Sequence, residues 1–157
     1  IEERSIDVGL VRLPLINTAR ALVETIERDT LIAALPVSDL AGGVRKIPLA
    51  SLADRPFIFY SPVSVLNSAI RLACHRAGFT PNIAQEAIQV QTILGLVQAG
   101  LGVALVPSRI GRFAPDGVRL VALAEPIHIE SGIAIAVDAG PIARNFMSAA
   151  MAFADRA

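Results

Sequence analysis

An α/β fold resting mainly on parallel strands is predicted by two observations. The chain alternates short apolar runs with polar turns and then with segments of helical periodicity. Its apolar residues are chiefly Ala, Val, Ile and Leu, with no Trp and one Tyr, the balance of strands covered on both faces. A hydrophobic fraction of 54% against 18% charged excludes disorder by composition, and 157 residues suffice for one ordinary domain or two small lobes.

The first strand is predicted over residues 5–11, with Ile6, Val8 and Leu10 on one face and Asp7 and Gly9 on the other. Arg12 then falls on the exit from that strand. Residues 31–36 are a second strand, a nearly unbroken apolar run, and Gly42-Gly43 marks a loop beyond it. Residues 48–54 read as one short turn of helix. The third strand, residues 56–60, runs into Ser61-Pro62-Val63-Ser64, hydroxyls and a proline of the kind that open helices. The helix behind them carries Leu66, Ala69, Ile70, Ala73 and Ala77 at helical spacing and stops at Gly78 and Pro81. Residues 83–88 return as a strand to the polar stretch Gln89-Val90-Gln91-Thr92, and Thr92 is predicted to cap a helix through Ile93, Leu94, Leu96 and Val97. That helix ends at Gly100 or Gly102, and residues 103–106 form a short buried strand stopped by Pro107. Strands follow at 118–123 and 133–137, and Pro141 opens a last amphipathic helix with Ile142, Phe146, Ala150 and Phe153 on one side.

In open α/β sheets ligands bind beyond the carboxyl ends of the strands, where helix N-termini present free N–H groups. Such places are the loop at Val11, Arg12, Leu13 and Pro14, the turn from Ser61 to Ser64, and the turn at Gln91 and Thr92. Two helix starts with hydroxyls and one guanidinium all donate to negative charge, which suits a carboxylate or similar small anion. The same residues have plainer readings: Ser61, Ser64 and Thr92 as ordinary caps, Arg12 as a solvated charge, Gln91 as a loop residue.

Fourteen basic against fourteen acidic residues give zero net charge, so this chain by itself should bind DNA poorly, lacking the basic stripe that displaces phosphate counterions. The single cysteine, Cys74, makes no internal disulfide or Cys-rich zinc site, reads as a small buried hydrophobe and fits a reducing cytoplasm. His75 and His128 lie far apart with no metal-ligand spacing, so neither a metal nor a cofactor is expected. No Gly-x-Ser-x-Gly elbow and no Walker loop is present, and Gly100-Leu101-Gly102 follows a helix instead of opening one. Glu24, Glu27 and Asp29 read as a solvated, mixed-charge face, and no catalytic residue is nominated. No apolar run approaches the roughly 20 residues that cross a bilayer. The opening Ile1-Glu2-Glu3-Arg4 looks neither like a signal sequence nor like a natural start, but like the tail of a helix inside a larger protein.

Several segments in order carry a resemblance: Ile6-Asp7-Val8-Gly9-Leu10 with Arg12, Leu31-Ile32-Ala33-Ala34-Leu35-Pro36 with Leu40-Ala41, and Ile47-Pro48-Leu49 with Leu52. Cys74 with Ala77-Gly78-Phe79-Thr80-Pro81 follows, and the most specific piece is the run from Thr92 through Gln98-Ala99-Gly100-Leu101-Gly102 to Pro107. Together, over nearly the whole chain, they resemble the C-terminal effector-binding domain of LysR-type transcriptional regulators. The resemblance implies a type II periplasmic-binding-protein-like fold, two α/β lobes joined by two hinge strands, with a small-molecule effector in the cleft between them. Residues 1–35 and 133–157 would be lobe one, residues 36–132 lobe two, and residues 31–36 and 133–137 the hinges. By the same resemblance lobe one is incomplete, the DNA-binding winged helix-turn-helix domain is absent from this chain, and the protein works as a homodimer or homotetramer. Val37-Ser38-Asp39 departs from the His-Pro turn common in relatives, which alters a surface loop of lobe two.

Arg12-x-Pro14 and Ala84-Gln85-Glu86-Ala87 look most like members that sense aromatic acids or their ring-cleavage products. That similarity places Arg12, with Pro14 beside it, at the effector carboxylate. It adds Ser61, Pro62 and Ser64 from lobe two, and Val90, Gln91, Thr92 and Ile93 as the floor. A transporter's solute-binding protein and an enzyme on the same bilobal fold are the competing readings. The first needs an export signal, the second an acid, base or cofactor anchor.

Overall fold

The computed structural model describes residues 6–15, 19–39 and 44–154. Its strands are β1 (Val8–Leu13), β2 (Ala21–Pro36), β3 (Lys46–Ile47), β4 (Pro56–Tyr60), β5 (Asn82–Ala87), β6 (Ala104–Pro107) and β7 (Val118–Ala136). The helices are α1 (Val65–Arg76), α2 (Val90–Gln98) and α3 (Pro141–Ala154). The described residues of Ile1–Asp29 and Ile129–Ala157 form one compact unit, those of Thr30–His128 a second, and β2 and β7 are the strands along which the chain passes between them. The predicted start of the first strand at Ser5 and the loop at Gly42-Gly43 lie outside the described residues.

In the first unit β1 runs antiparallel to the end of β7, Val8 opposite Ile135 and Arg12 opposite Ser131. Arg12 is therefore a strand residue with its backbone in a ladder, not a residue on an exit loop. Glu24, Glu27 and Asp29, read from the sequence as a solvated face, lie in the first part of β2. Two charges of this stretch meet β7: Glu130 accepts from Arg28 Nε at 2.9 Å and from Thr25 at 3.5 Å, and Glu27 accepts from Ser131 Oγ at 3.2 Å. The backbones of β2 and β7 come so close here that a Cβ on Gly132 would lie 2.8 Å from the carbonyl oxygen of Glu24. The predicted strands at 118–123 and 133–137 are the two ends of one 19-residue strand, β7. Helix α3 turns a different stripe inward than predicted. Ala143 is buried and Met147, Ala150, Met151 and Ala154 are half-buried, whereas Ile142 is 87% exposed and Phe146 and Phe153 stand out as well. Periodicity finds a helix with apolar residues around it but not the side that is buried.

The second unit holds the larger core. β4 and β5 are parallel, Phe57 opposite Ile83 and Tyr60 opposite Ala87, and Val103 bridges to Phe57 on the other side of β4. β3 is parallel to β7, but β2 and β6 are antiparallel, as are β1 and β7, so the mostly parallel sheet that the alternation predicts holds only for part of the molecule. Parallel pairing needs a crossover, and α1 supplies one between β4 and β5. Phe57, Ile58 and Phe59 are buried against Ile70, Ile93, Leu94 and Val97, and Phe57 meets Phe59 edge to face at 6.2 Å. Because β4 is covered on both faces its sequence is an unbroken apolar run, the pattern a buried parallel strand requires.

Helix α1 presents Leu66, Asn67, Ile70 and Cys74 to this core. It ends at Gly78, whose φ of 88° belongs to the left-handed region that closes helices without a Cβ penalty. Burial pushes the Cys74 thiol up to about 11, against smaller opposing effects of a backbone hydrogen bond and of Arg71. The thiol is thus neutral in the folded state at pH 8. Native protein is expected to resist iodoacetamide there and to label at the unfolded-state rate once urea opens the core, with Cys74→Ala as blank. The raised value also makes the fold lose stability as pH climbs from the unfolded thiol's range toward about 11, and that loss should be absent from Cys74→Ala.

Candidate functional site

The carboxyl ends of β4 and β5 lie side by side, fixed where Ser61 N–H donates to the Ala87 carbonyl at 3.1 Å. Two turns leave from this edge, each opening a helix. In the first, Ser64 is extended (φ −79°, ψ 133°) and caps α1, its Oγ accepting from Leu66 N–H at 3.2 Å while its carbonyl accepts from Asn67 N–H. The predicted role of Ser64 as a cap is therefore met, and much of the first turn of α1 is already satisfied. Pro62 is exposed, Ser61 and Ser64 are half-buried, and no hydrogen bond engages the Ser61 hydroxyl among the described residues.

The second turn differs. Thr92 is not the cap of α2. The helix begins at Val90, the extended residue before it is Gln89 (φ −95°, ψ 135°), and Gln89 supplies no side-chain hydrogen bond. A hydroxyl at 92 sits inside the first turn, too late to fold back on it. The N–H groups of Val90, Gln91 and Thr92 accordingly find no acceptor among the described residues, and the first intrahelical bond is that of Ile93 N–H to the Gln89 carbonyl. Val90 is half-buried, Gln91 and Thr92 are exposed, and the side chain of Ile93 is wholly buried in the core, where it anchors the helix and is not presented to a ligand. α2 closes at Gly100, with φ 77°, the left-handed residue that the sequence anticipates there.

One residue that pattern reading passes over organises the first turn. Asn67, 4% exposed, donates from Nδ2 to the Tyr60 carbonyl at 2.6 Å and accepts from Arg71 Nε at 2.8 Å. Arg71 in turn lies over the Phe59 ring at 5.2 Å. Asn67 thereby clamps the end of β4 to α1 with residues 61–64 held between. The sequence signal was available, since position 67 shares the inner face with Ile70 and Cys74 and a polar residue there must find partners.

In the first unit, Arg12 is half-buried on β1, on the same face as the exposed Leu10, and Pro14 is exposed just past the strand. Its Nη1 is buried without a hydrogen-bond partner among the described residues. A guanidinium N–H withdrawn from water and left unpaired is costly and has the geometry of a waiting anion donor. No group of His, Cys, Asp and Glu among the described residues is arranged to hold a metal ion, and no helix among them is long and apolar enough to cross a membrane.

Comparison with known proteins sets these features in a family. The HTH-type transcriptional regulator YwbI of Bacillus subtilis (strain 168) is 34% identical over 128 residues, covering 81% of this chain, while the chain spans 42% of that protein's length. Among solved structures, the effector binding domain of QuiR in complex with shikimate superposes with a TM-score of 0.86 over 99% of this chain and 75% of its own, at 19% identity. The BenM effector binding domain with its effector benzoate gives 0.77 over 96% of this chain and 70% of its own, at 23% identity. These likenesses establish the fold as that of two-lobed effector-binding domains, in agreement with the fold read from the sequence. The LysR substrate binding domain family matches residues 1–154, and the chain belongs to that family.

Proposed function

We propose that this chain is the effector-sensing part of a LysR-type regulator of transcription and that its effector is a small carboxylate. The observation that carries the ligand class is the open start of α2, whose first N–H groups find no acceptor among the described residues and lie beside the carboxyl ends of two parallel strands. A helix N-terminus left without a cap favours an anion by its dipole and by direct donation. The unpaired Nη1 of Arg12 asks for the same chemistry. Benzoate and shikimate, named with two domains of this fold, both carry a carboxylate.

The proposed contacts are Arg12 and Pro14 on the first unit, and Ser61, Pro62, Ser64, Val90, Gln91 and Thr92 on the second. The two units serve as the lobes. Effector acts by binding one arrangement of the domain better than another, since only differential affinity shifts such a balance. DNA is engaged by a helix-turn-helix part of the protein outside these residues, in a cytoplasmic homodimer or homotetramer, and the domain performs no catalysis.

Thermal unfolding against benzoates, muconates, amino acids and sugar acids tests the reading, with Arg12→Ala in parallel. A ligand at about 100 times its Kd adds roughly 2.7 kcal/mol, a rise of about 5 to 10 °C for a domain of this size. The expected result is a rise confined to one class of acid and largely lost in Arg12→Ala. A flat panel, or rises that Arg12→Ala leaves intact, would overturn it.

A further inference from the structure

A cavity lies wholly within the unit Thr30–His128, along one flank of α1 and away from its capped start. It encloses about 650 Å³, within the size range of small-molecule sites. Its existence follows from the sequence of α1. The inner face carries Leu66, Ile70 and Cys74, and the half-buried flank beside it carries only the short side chains Ala69, Ala73 and Ala77. Short side chains there leave a trough between the helix, the 3-10 turn Leu49–Leu52 and the stretch 125–128 of β7. Leu72, 51% exposed, forms part of its wall.

Charge is placed at the trough as well. Arg76 lines it from the last turn of α1, and Glu125 and His128 line it from β7. None of these three forms an ion pair among the described residues, and Arg76 and Glu125 share the cavity without pairing to each other. A mostly apolar recess with an unpaired guanidinium at its edge suits a small acid with an apolar body. The carboxylate is held by Arg76 and the body covers Ala73 and Leu72.

We infer that the trough along this flank of α1 is a second ligand site, for a small apolar carboxylate anchored by Arg76, separate from the effector contacts at α2 and Arg12. Residues 125–128 are the part of β7 that precedes the unit boundary at Ile129. An occupant therefore touches one of the two strands on which the chain leaves this unit, which gives the site a route to modulate the response to effector.

The test is titration of the 157-residue chain with benzoate and hexanoate, and with benzamide and hexylamine as uncharged and cationic controls, followed by amide chemical shifts and calorimetry. Expected are saturable shifts at residues 69–77 and 125–128 with the acids only. Arg76→Gln should weaken them about tenfold or more, the scale of one lost charge-assisted bond, and Ala73→Phe should abolish them by filling the trough. Arg12→Ala should leave them unchanged. Since Arg76→Gln alters an exposed helix end, it keeps the test meaningful should Ala73→Phe fail to fold. Absence of saturable shifts at these residues, or shifts that Arg12→Ala removes and Arg76→Gln spares, would overturn the proposal. So would sedimentation showing that the trough is covered by a second copy and that Ala73→Phe separates the copies without altering acid binding.

Discussion

Gly102→Ala is expected to lower the unfolding midpoint by roughly 10 °C, the equivalent of about 3 kcal/mol for a domain of this size. The residue lies where the chain leaving α2 passes over the start of β4. A Cβ there would stand 2.5 Å from the Pro56 carbonyl oxygen and 3.0 Å from its carbon, against backbone that has nowhere to retreat. That carbonyl accepts from Val103 N–H at 2.8 Å, and Ile58 N–H donates to the Val103 carbonyl at 2.8 Å. Moving Pro56 aside would break the first bond and loosen the second, at the edge of a core built on Phe57. Urea unfolding of the variant beside Gly95→Ala, where a Cβ meets nothing within 4 Å, separates crowding from any general effect of losing a glycine. Equal midpoints in the two variants would show that the close approach is not needed.

Asn67→Ala should destabilise by about 2 to 3 kcal/mol, because truncation strands two groups at once. The Tyr60 carbonyl loses its buried donor, and Arg71 Nε loses its acceptor beneath the Phe59 ring. Arg71→Ala is the matching control. Arg71 is exposed, and removing it leaves the bond between Asn67 and Tyr60 in place, so its cost should stay near 1 kcal/mol or below. The pair of urea midpoints decides the matter: comparable losses would mean that the network stands on the arginine and not on the clamp at the end of β4. The same clamp holds the turn at residues 61–64, so Asn67→Ala should also weaken any ligand bound there while leaving the trough behind α1 untouched.

What could be read beforehand was whatever local chemistry decides. Ser64 caps because a short hydroxyl precedes an apolar helix. Gly78 and Gly100 close helices because only glycine enters the left-handed region cheaply, and the unbroken apolar run at residues 57–60 marks a buried strand. The misses belong to long-range pairing. Glu24, Glu27 and Asp29 look solvated in isolation, and only the pairing of β2 with β7, some hundred residues away, makes a strand of their segment. β7 looks like two strands because Glu125, Pro126 and His128 punctuate it, although its pairing changes from β3 to β1 along one continuous run. The sequence reading assigns Arg12 to a loop, since two residues of strand extension, from Val11 to Leu13, are below the resolution of periodicity. Thr92 is the residue in the stretch 89–92 with the chemistry of a good cap, yet the helix starts at Val90 without one.

That missing cap has a consequence of its own. A chain selected only to stay folded would set Ser or Asp at position 89 and close α2 with its own oxygen, a change that typically adds about 1 kcal/mol. Gln89 leaves the helix unfinished, and on the proposed reading the last piece is delivered from solution. The fold is then most complete when a particular acid is abundant, and a concentration outside the molecule is converted into its internal order.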